Sequence, residues 1–134
     1  MRRYALSILV AATCAGALAG VAVAGTAHWV QLRSVTVTLA NGSLPPPFGR
    51  PHTTRFTTAH EVSRATMALN ANRIAPRKSR ANNGCVGGYN VTIVITRRHF
   101  KRERLTGYRC AGKTFGAIAG NVPGFLHALG LRAP

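Results

Sequence analysis

The chain has 134 residues, which suffices for one domain, and it carries 18 Lys and Arg against 2 Asp and Glu. The formal net charge is +16 at pH 7, and the two acids are Glu61 and Glu103. With only two carboxylate side chains, the chain is poorly suited to reactions that need a pair of them, whereas its positive charge favours association with polyanions. A GC-rich genome would also enrich Arg, Ala and Gly, so compositional bias is the alternative explanation of the charge.

The N-terminus has the pattern of a secretory signal peptide. Two arginines, Arg2 and Arg3, precede an uncharged apolar run over residues 5–24, which small residues follow. We expect a signal peptide over residues 1–27 and a single domain over residues 28–134, secreted or otherwise extracytoplasmic. An uncleaved anchor in the cell membrane is the alternative, because about 20 apolar residues can span a bilayer.

The predicted domain opens with a strand and a stiff loop. Residues 34–39 alternate polar and apolar side chains, which indicates a half-buried strand. Three consecutive prolines within residues 41–52 favour an extended surface loop, because proline cannot donate a backbone hydrogen bond. A short strand over residues 53–57 is expected next, with Phe56 directed inward.

A helix is predicted over residues 59–72. Thr58 and Glu61 have the spacing of a capping box, and apolar residues recur at helical spacing from Val62 onward. Glu61 therefore has a structural use, which we prefer to a catalytic one. The basic, turn-rich residues 75–84 are expected to form a mobile loop.

Two cysteines flank the clearest strand pattern in the chain. Tyr89, Val91, Ile93 and Ile95 alternate with Asn90, Thr92, Val94 and Thr96, and residues 105–109 are expected to return beside them as the second strand of a hairpin. Cys85 and Cys110 would then lie near its open end, within reach of the ~5–6 Å Cα separation that a disulfide requires. In an oxidising compartment we expect this pair to be bonded, which stabilises the fold by about 3–4 kcal/mol.

The C-terminal part completes an α+β pattern. Residues 114–118 have room for a short strand, and Asn121 is placed to cap a short helix over residues 122–129. The order of elements predicts a small antiparallel sheet with one main helix, a short C-terminal helix and one disulfide. Both helices are expected to cover the same face of the sheet.

Four short pieces stand out along the chain: VTV at residues 35–37, ALN at 68–70, Cys85 with Tyr89, and YRC at 108–110. Together they resemble pieces of a group of small exported actinobacterial proteins of uncharacterised function. The resemblance extends over residues 34–131 and implies export and an α+β domain closed by the two cysteines. It implies no activity and no site residues.

The sequence contains no recognisable metal or catalytic pattern. Its histidines do not pair at metal-ligand spacing: His28, His52, His60, His99 and His127. No Gly-x-Ser-x-Gly elbow is present, and we expect no catalytic residue, no metal and no cofactor. A small secreted hydrolase such as a ribonuclease is the third function hypothesis, because a His general base and acid with Arg clamps on the phosphate would suffice for it.

Two basic segments form the candidate binding site. The predicted hairpin turn carries four cations and an aromatic ring: Arg97, Arg98, Phe100, Lys101 and Arg102. The predicted loop carries three more cations: Arg77, Lys78 and Arg80. Cations attract phosphates, and Phe100 suits stacking on a base or insertion at a lipid surface. A solvated turn whose charges deter aggregation is the alternative interpretation.

These observations predict a non-catalytic exported protein, monomeric or weakly associating. Its expected partner is an anionic polymer or surface, such as the cell envelope or nucleic acid. The alternative is a secreted inhibitor of a trypsin-like extracellular enzyme, with the same turn as its contact loop and a protein as its partner. A disulfide-braced loop suits that role because preorganisation reduces the ordering cost of binding.

Overall fold

A computed structural model describes residues 28–41, 50–81, 85, 87–99 and 101–134. The expected signal peptide, the proline run and Phe100 lie outside these described residues. Within the ranges just given, no helix has both the length and the apolar character that crossing a membrane requires.

The described residues form six strands and two helices. In order they are β1 (Leu32–Asn41), β2 (His52–Phe56), α1 (Ala59–Ala71), β3 (Ala75–Arg80), β4 (Tyr89–Arg97), β5 (Arg102–Cys110), β6 (Lys113–Ala119) and α2 (Val122–Ala128). The strands form one sheet in the order β2-β1-β4-β5-β6-β3, and all neighbours are antiparallel. The predicted α+β class is confirmed, although the sheet is larger than expected.

The two faces of the sheet differ in what covers them. Side chains of β1 and β4 alternate, and every second one is buried in a single core, as Val37 and Ile93 are. Residues from both helices, including Leu69 of α1 and Phe125 of α2, belong to the same core. The helices therefore cover one face, which we call the inner face. The other, the outer face, carries half-buried threonines such as Thr92.

The predicted capping box at the start of α1 is confirmed. Thr58 Oγ1 accepts a hydrogen bond from the Glu61 backbone N–H at 3.3 Å, and Glu61 Oε2 accepts from the N–H groups of Thr57 and Thr58 at 3.1 Å each. These backbone hydrogen bonds, from Thr58 first and then Thr57, lower the pKa of the Glu61 carboxyl below its ordinary value of 4.5. This carboxylate has the structural use that the sequence indicated.

The expectation of a mobile loop at residues 75–84 is wrong for its first six residues. Residues 75–80 form β3, which pairs with β6 from Ala75 opposite Ala119 to Arg80 opposite Gly116. Such an edge strand is held through its backbone and needs no apolar alternation, and Pro76 is tolerated there because edge strands leave some N–H groups unpaired. The basic, proline-containing sequence of β3 therefore resembled a loop, although it forms a strand.

The predicted hairpin and its disulfide are confirmed. β4 and β5 pair from Tyr89 opposite Arg109 to Thr96 opposite Arg102, and the connecting turn is limited to residues 98–101. Cys85 and Cys110 are bonded, with their Cα atoms 6.3 Å apart. The bond therefore ties the segment that precedes β4 to the last residue of β5.

The predicted C-terminal helix is confirmed as well. The Asn121 side-chain oxygen accepts a hydrogen bond from the Gly124 N–H at 3.1 Å, and a proline occupies the first turn. Val122, Phe125 and Leu126 of this helix are buried. The short helix thus extends the cover of the inner face beyond α1.

Candidate functional site

Both acidic side chains have partners within the fold. Glu61 caps α1, and Glu103 Oε2 lies 3.8 Å from Arg97 Nη2. The sequence offers no further Asp or Glu to neutralise the other cations. The distribution of Lys and Arg over the surface is therefore the main electrostatic feature of the protein.

Three arginines are half-buried and make internal contacts. Arg97 lies 5.2 Å from the centroid of the buried Trp29 ring, a cation–π distance. Arg77 donates through Nε and Nη2 to the carbonyls of Gly116 and Thr114, at 3.1 and 2.7 Å. Arg109 Nη1 donates to Thr114 Oγ1 at 3.2 Å. These contacts fix the three guanidinium groups in position.

The remaining residues of the predicted turn site are spread around the turn. Arg98 is exposed, and its N–H donates to the Gln31 carbonyl at 3.0 Å. The backbone carbonyl of Lys101 accepts a hydrogen bond from the Arg97 N–H at 2.9 Å. The Lys101 side chain is exposed. Arg102 begins β5 and points to the outer face with Thr96, its partner across the strands. Phe100 lies outside the described residues.

A cleft at the hairpin end of the sheet brings three arginines together. It measures about 490 Å³ and is lined by Arg33, Ser34, Arg55, Thr57, Thr96 and Arg102. We call it the hairpin-end cleft. Strand pairing builds it, because Ser34 lies opposite Thr96 and Thr96 lies opposite Arg102. Hydroxyl groups and cations line the cleft, and none of its lining residues is acidic.

A second cleft lies at the opposite end, beside the disulfide. It measures about 380 Å³, and its cationic lining residues are Arg77, Arg80, Arg109 and Lys113. We call it the disulfide-end cleft, since Lys113 pairs with Cys110. Thr114 and Asn121 add polar groups, and no carboxylate lines it.

The structure keeps the two predicted basic segments apart. Arg80 lies at the level of Gly116, which pairs with Gly107, about six residues along β5 from Lys101. At about 3.4 Å per residue the two segments are separated by about 20 Å along the strands. Arg77 and Arg80 join the disulfide-end cleft, Arg102 joins the hairpin-end cleft, and Lys78 is exposed on β3.

Four cations that line these clefts were not part of the predicted binding site: Arg33, Arg55, Arg109 and Lys113. One of them, Arg55, carried a usable signal. Arg55 falls on the polar side of the strand that buries Phe56, so its outward direction follows from alternation. Which strands lie next to each other did not follow from any local pattern, and that order brings Arg55 close to Arg102.

Burial also affects a tyrosine next to this region. Desolvation raises the pKa of the Tyr89 hydroxyl above its ordinary value of 10.0, and the charge of Arg109, its partner across the hairpin, opposes that change. Tyr89 therefore stays neutral at physiological pH and adds no negative charge near Arg109. Across the ranges that the structure describes, no group of three or more His, Cys, Asp or Glu is placed to hold a metal.

Comparisons with known proteins assign no family and no function to this chain. No protein-family model matches the chain, and searches of curated proteins and of solved structures gave no match. The function is therefore argued from the clefts themselves.

Proposed function

We propose that the protein is exported and binds an anionic polymer at or outside the cell envelope, without catalysing a reaction on it. The observation that carries the proposal is the disulfide-end cleft, where four cations converge and no acidic side chain lies among the lining residues. Like charges held together repel one another, and a polyanion offsets that repulsion by supplying the missing charges and releasing its own counterions.

Internal hydrogen bonds prepare this cleft for an anion. Arg77 and Arg109 are held by groups of β6, so little side-chain entropy remains to be lost on binding. A guanidinium group presents its donors in a planar fork that matches phosphate and carboxylate oxygens. Arg80 and Lys113 are exposed and complete the cation cluster.

The hairpin-end cleft supplies a second contact for the same polymer. It lies at the other end of the strands and on the outer face, whereas Arg109 and Thr114 of the disulfide-end cleft lie on the inner side of the sheet. A small anion cannot reach both, and a polymer long enough to pass around the sheet edge gains by doing so. Arg33, Arg55 and Arg102 belong to three strands of one sheet, which fixes their spacing. Two separated cationic clefts on a rigid sheet favour a polymer over a single phosphate or sulfate group.

Export is supported by the chain itself. The N-terminal arginines, the apolar run and the small residues after it have the pattern of a secretory signal. The Cys85–Cys110 disulfide requires an oxidising environment to persist, which secreted proteins encounter.

Salt-dependent retention on immobilised heparin tests the proposal. Three doubly substituted variants with the same loss of charge are compared, each with the disulfide intact: Arg80→Gln/Lys113→Gln, Arg55→Gln/Arg102→Gln and, as the control at residues that line neither cleft, Arg73→Gln/Arg132→Gln. Every replaced side chain is exposed.

Each lost phosphate-type contact should lower the slope of log K against log salt by about 0.7–0.9. The two cleft variants should therefore elute at clearly lower salt than the wild type, and the control should elute close to it. Equal shifts in all three variants would show that net charge, rather than the clefts, governs retention.

A further inference from the structure

A hollow on the outer face meets the disulfide-end cleft at the β3 edge of the sheet, although Arg109 and Thr114 of that cleft lie on the other side of the strands from Tyr108 and Phe115. It measures about 300 Å³ and contains two aromatic rings, an amide and a cation: Tyr108, Phe115, Asn90 and Arg80. Strand pairing places Asn90, Tyr108 and Phe115 side by side in one row across β4, β5 and β6. We call this feature the aromatic hollow.

The rings in this hollow are held in place. The Tyr108 hydroxyl donates to the backbone carbonyl of Gly87 and lies 3.4 Å from the carbonyl oxygen of Cys85. The disulfide holds that acceptor segment, because Cys85 is bonded to the end of β5. Phe115 is half-buried on β6 and is the cross-strand partner of Tyr108. Both rings are therefore part of a fixed surface.

Arg80 lines both the aromatic hollow and the disulfide-end cleft, and it lies on the edge strand β3, so a ligand can pass from one to the other around this edge. A ligand that fills both places needs a flat, weakly polar group next to an anionic group. The nucleotide unit has this combination, with a base that stacks on aromatic rings and a phosphate that pairs with cations. The exposed Asn90 amide can donate to and accept from the edge of a base.

We propose that the anionic polymer is a single-stranded nucleic acid, with bases on the aromatic hollow and phosphates in the adjacent cationic cleft. This inference rests on the proposed function and names its partner. A duplex keeps its bases stacked inside and cannot offer them to a flat sheet, so the hollow selects a single strand. An anionic glycan or lipid surface would use the clefts without needing the aromatic rings.

Fluorescence anisotropy with two labelled probes of equal length and charge tests this inference. One probe is oligo(dT), and the other is the same backbone with abasic sites throughout. Stacking of each base contributes enough to strengthen binding about tenfold or more, so oligo(dT) should bind at least tenfold tighter at equal salt. Phe115→Leu should weaken oligo(dT) binding about tenfold, leave the abasic probe unchanged and preserve the salt slope.

Two further variants separate stacking from folding effects. Tyr108→Phe keeps the ring and removes the hydroxyl that holds it, so it should weaken oligo(dT) binding by less than Phe115→Leu does and leave abasic binding unchanged. Val94→Ala shortens an outer-face apolar side chain that does not line the hollow and should have no effect. Unchanged abasic binding by Phe115→Leu shows that this variant remains folded.

The outcomes distinguish this inference from the proposed function. Equal affinity for both probes, or equal affinity for duplex and single strand, overturns base stacking while the polyanion proposal stands. If the wild-type protein bound neither the abasic probe nor heparin, the proposed function would be overturned as well.

Discussion

The two faces of the central strand β4 offer a comparison within one run of residues. Ile93 and Ile95 point to the inner face and are fully buried, whereas Thr92 and Val94 point to the outer face and are half-buried. The inner face is covered by two helices, and the outer face is not. The fold therefore depends on one set of alternate residues, which leaves the chemistry of the other set available for binding.

The cations follow a related division. Arg77, Arg97 and Arg109 are half-buried and bond to backbone, hydroxyl or aromatic groups of the fold. Arg55 and Arg102 are exposed beside the outer face and line a cleft. The same side chain, arginine, thus contacts the fold at some positions and lines a cleft at others. Substitutions of the exposed arginines should therefore affect binding more than stability.

The largest expected effect comes from neighbouring apolar residues of β4. Ile93→Ala should lower the free energy of unfolding by about 2–5 kcal/mol, because it leaves a cavity in the core. Val94→Ala, one residue further along on the outer face, should cost less than about 1 kcal/mol. Urea unfolding followed by circular dichroism measures both. Similar losses would show that the outer face is packed against something in solution.

Removal of the disulfide should have the next largest effect. Cys85→Ala/Cys110→Ala should lower the free energy of unfolding by about 2–4 kcal/mol, since the bond closes a loop with a sequence separation of 25. It should also weaken oligo(dT) binding more than heparin binding, because the Tyr108 contacts to Cys85 and Gly87 lose their support. Wild-type protein reduced with dithiothreitol is the matched control, and an unchanged urea midpoint would contradict the prediction.

A smaller effect is expected from the cap of α1, the helix that covers the inner face. Hydrogen bonds from the Thr58 and Thr57 N–H groups lower the pKa of Glu61, so its stabilising contribution is present above the ordinary value of 4.5. That contribution should be lost as the pH falls through the lowered pKa. Thermal unfolding from about pH 6 to about pH 2 should therefore be less pH-dependent in Glu61→Gln. An equal pH dependence in both proteins would assign the acid sensitivity to other groups.

The smallest expected effect is a gain of stability from removing outer-face charge. Arg55→Gln/Arg102→Gln should raise the free energy of unfolding by about 0.5 kcal/mol at low salt, because repulsion around the hairpin-end cleft falls. The gain should disappear near 1 M salt, where the Debye length is about 3 Å. Arg73→Gln/Arg132→Gln serves as the control, and a salt-independent gain would point to a cause other than charge.

Local patterns in the sequence sufficed for most of the elements. The capping box at Thr58, the alternation through β4 and the disulfide partners were predicted because each depends on a few nearby residues. β3 was not, because it is a basic edge strand whose pairing with β6 uses backbone groups and gives little pattern in its side chains.

The clefts were predicted less well than the fold. Arg80 and Arg102 were chosen from local charge density and do line clefts, whereas Arg97 contacts Trp29 and Glu103. The companions of Arg102 come from β1 and β2, which are distant in sequence. Only the strand order β2-β1-β4-β5 brings them together, and no local pattern encodes that order.

The same strand order governs when the domain can fold. β1 pairs with β4 along nearly its whole length, although β2, α1 and β3 lie between them in the chain. Such non-local pairing is slow to form, while the β4–β5–β6 meander is local and closes sooner. A chain that is delivered N-terminus first therefore keeps β1 without its central partner until Arg97 has emerged. If the chain is threaded across a membrane while it is being synthesised, the central β1–β4 pair can therefore form only after β4 has emerged on the far side.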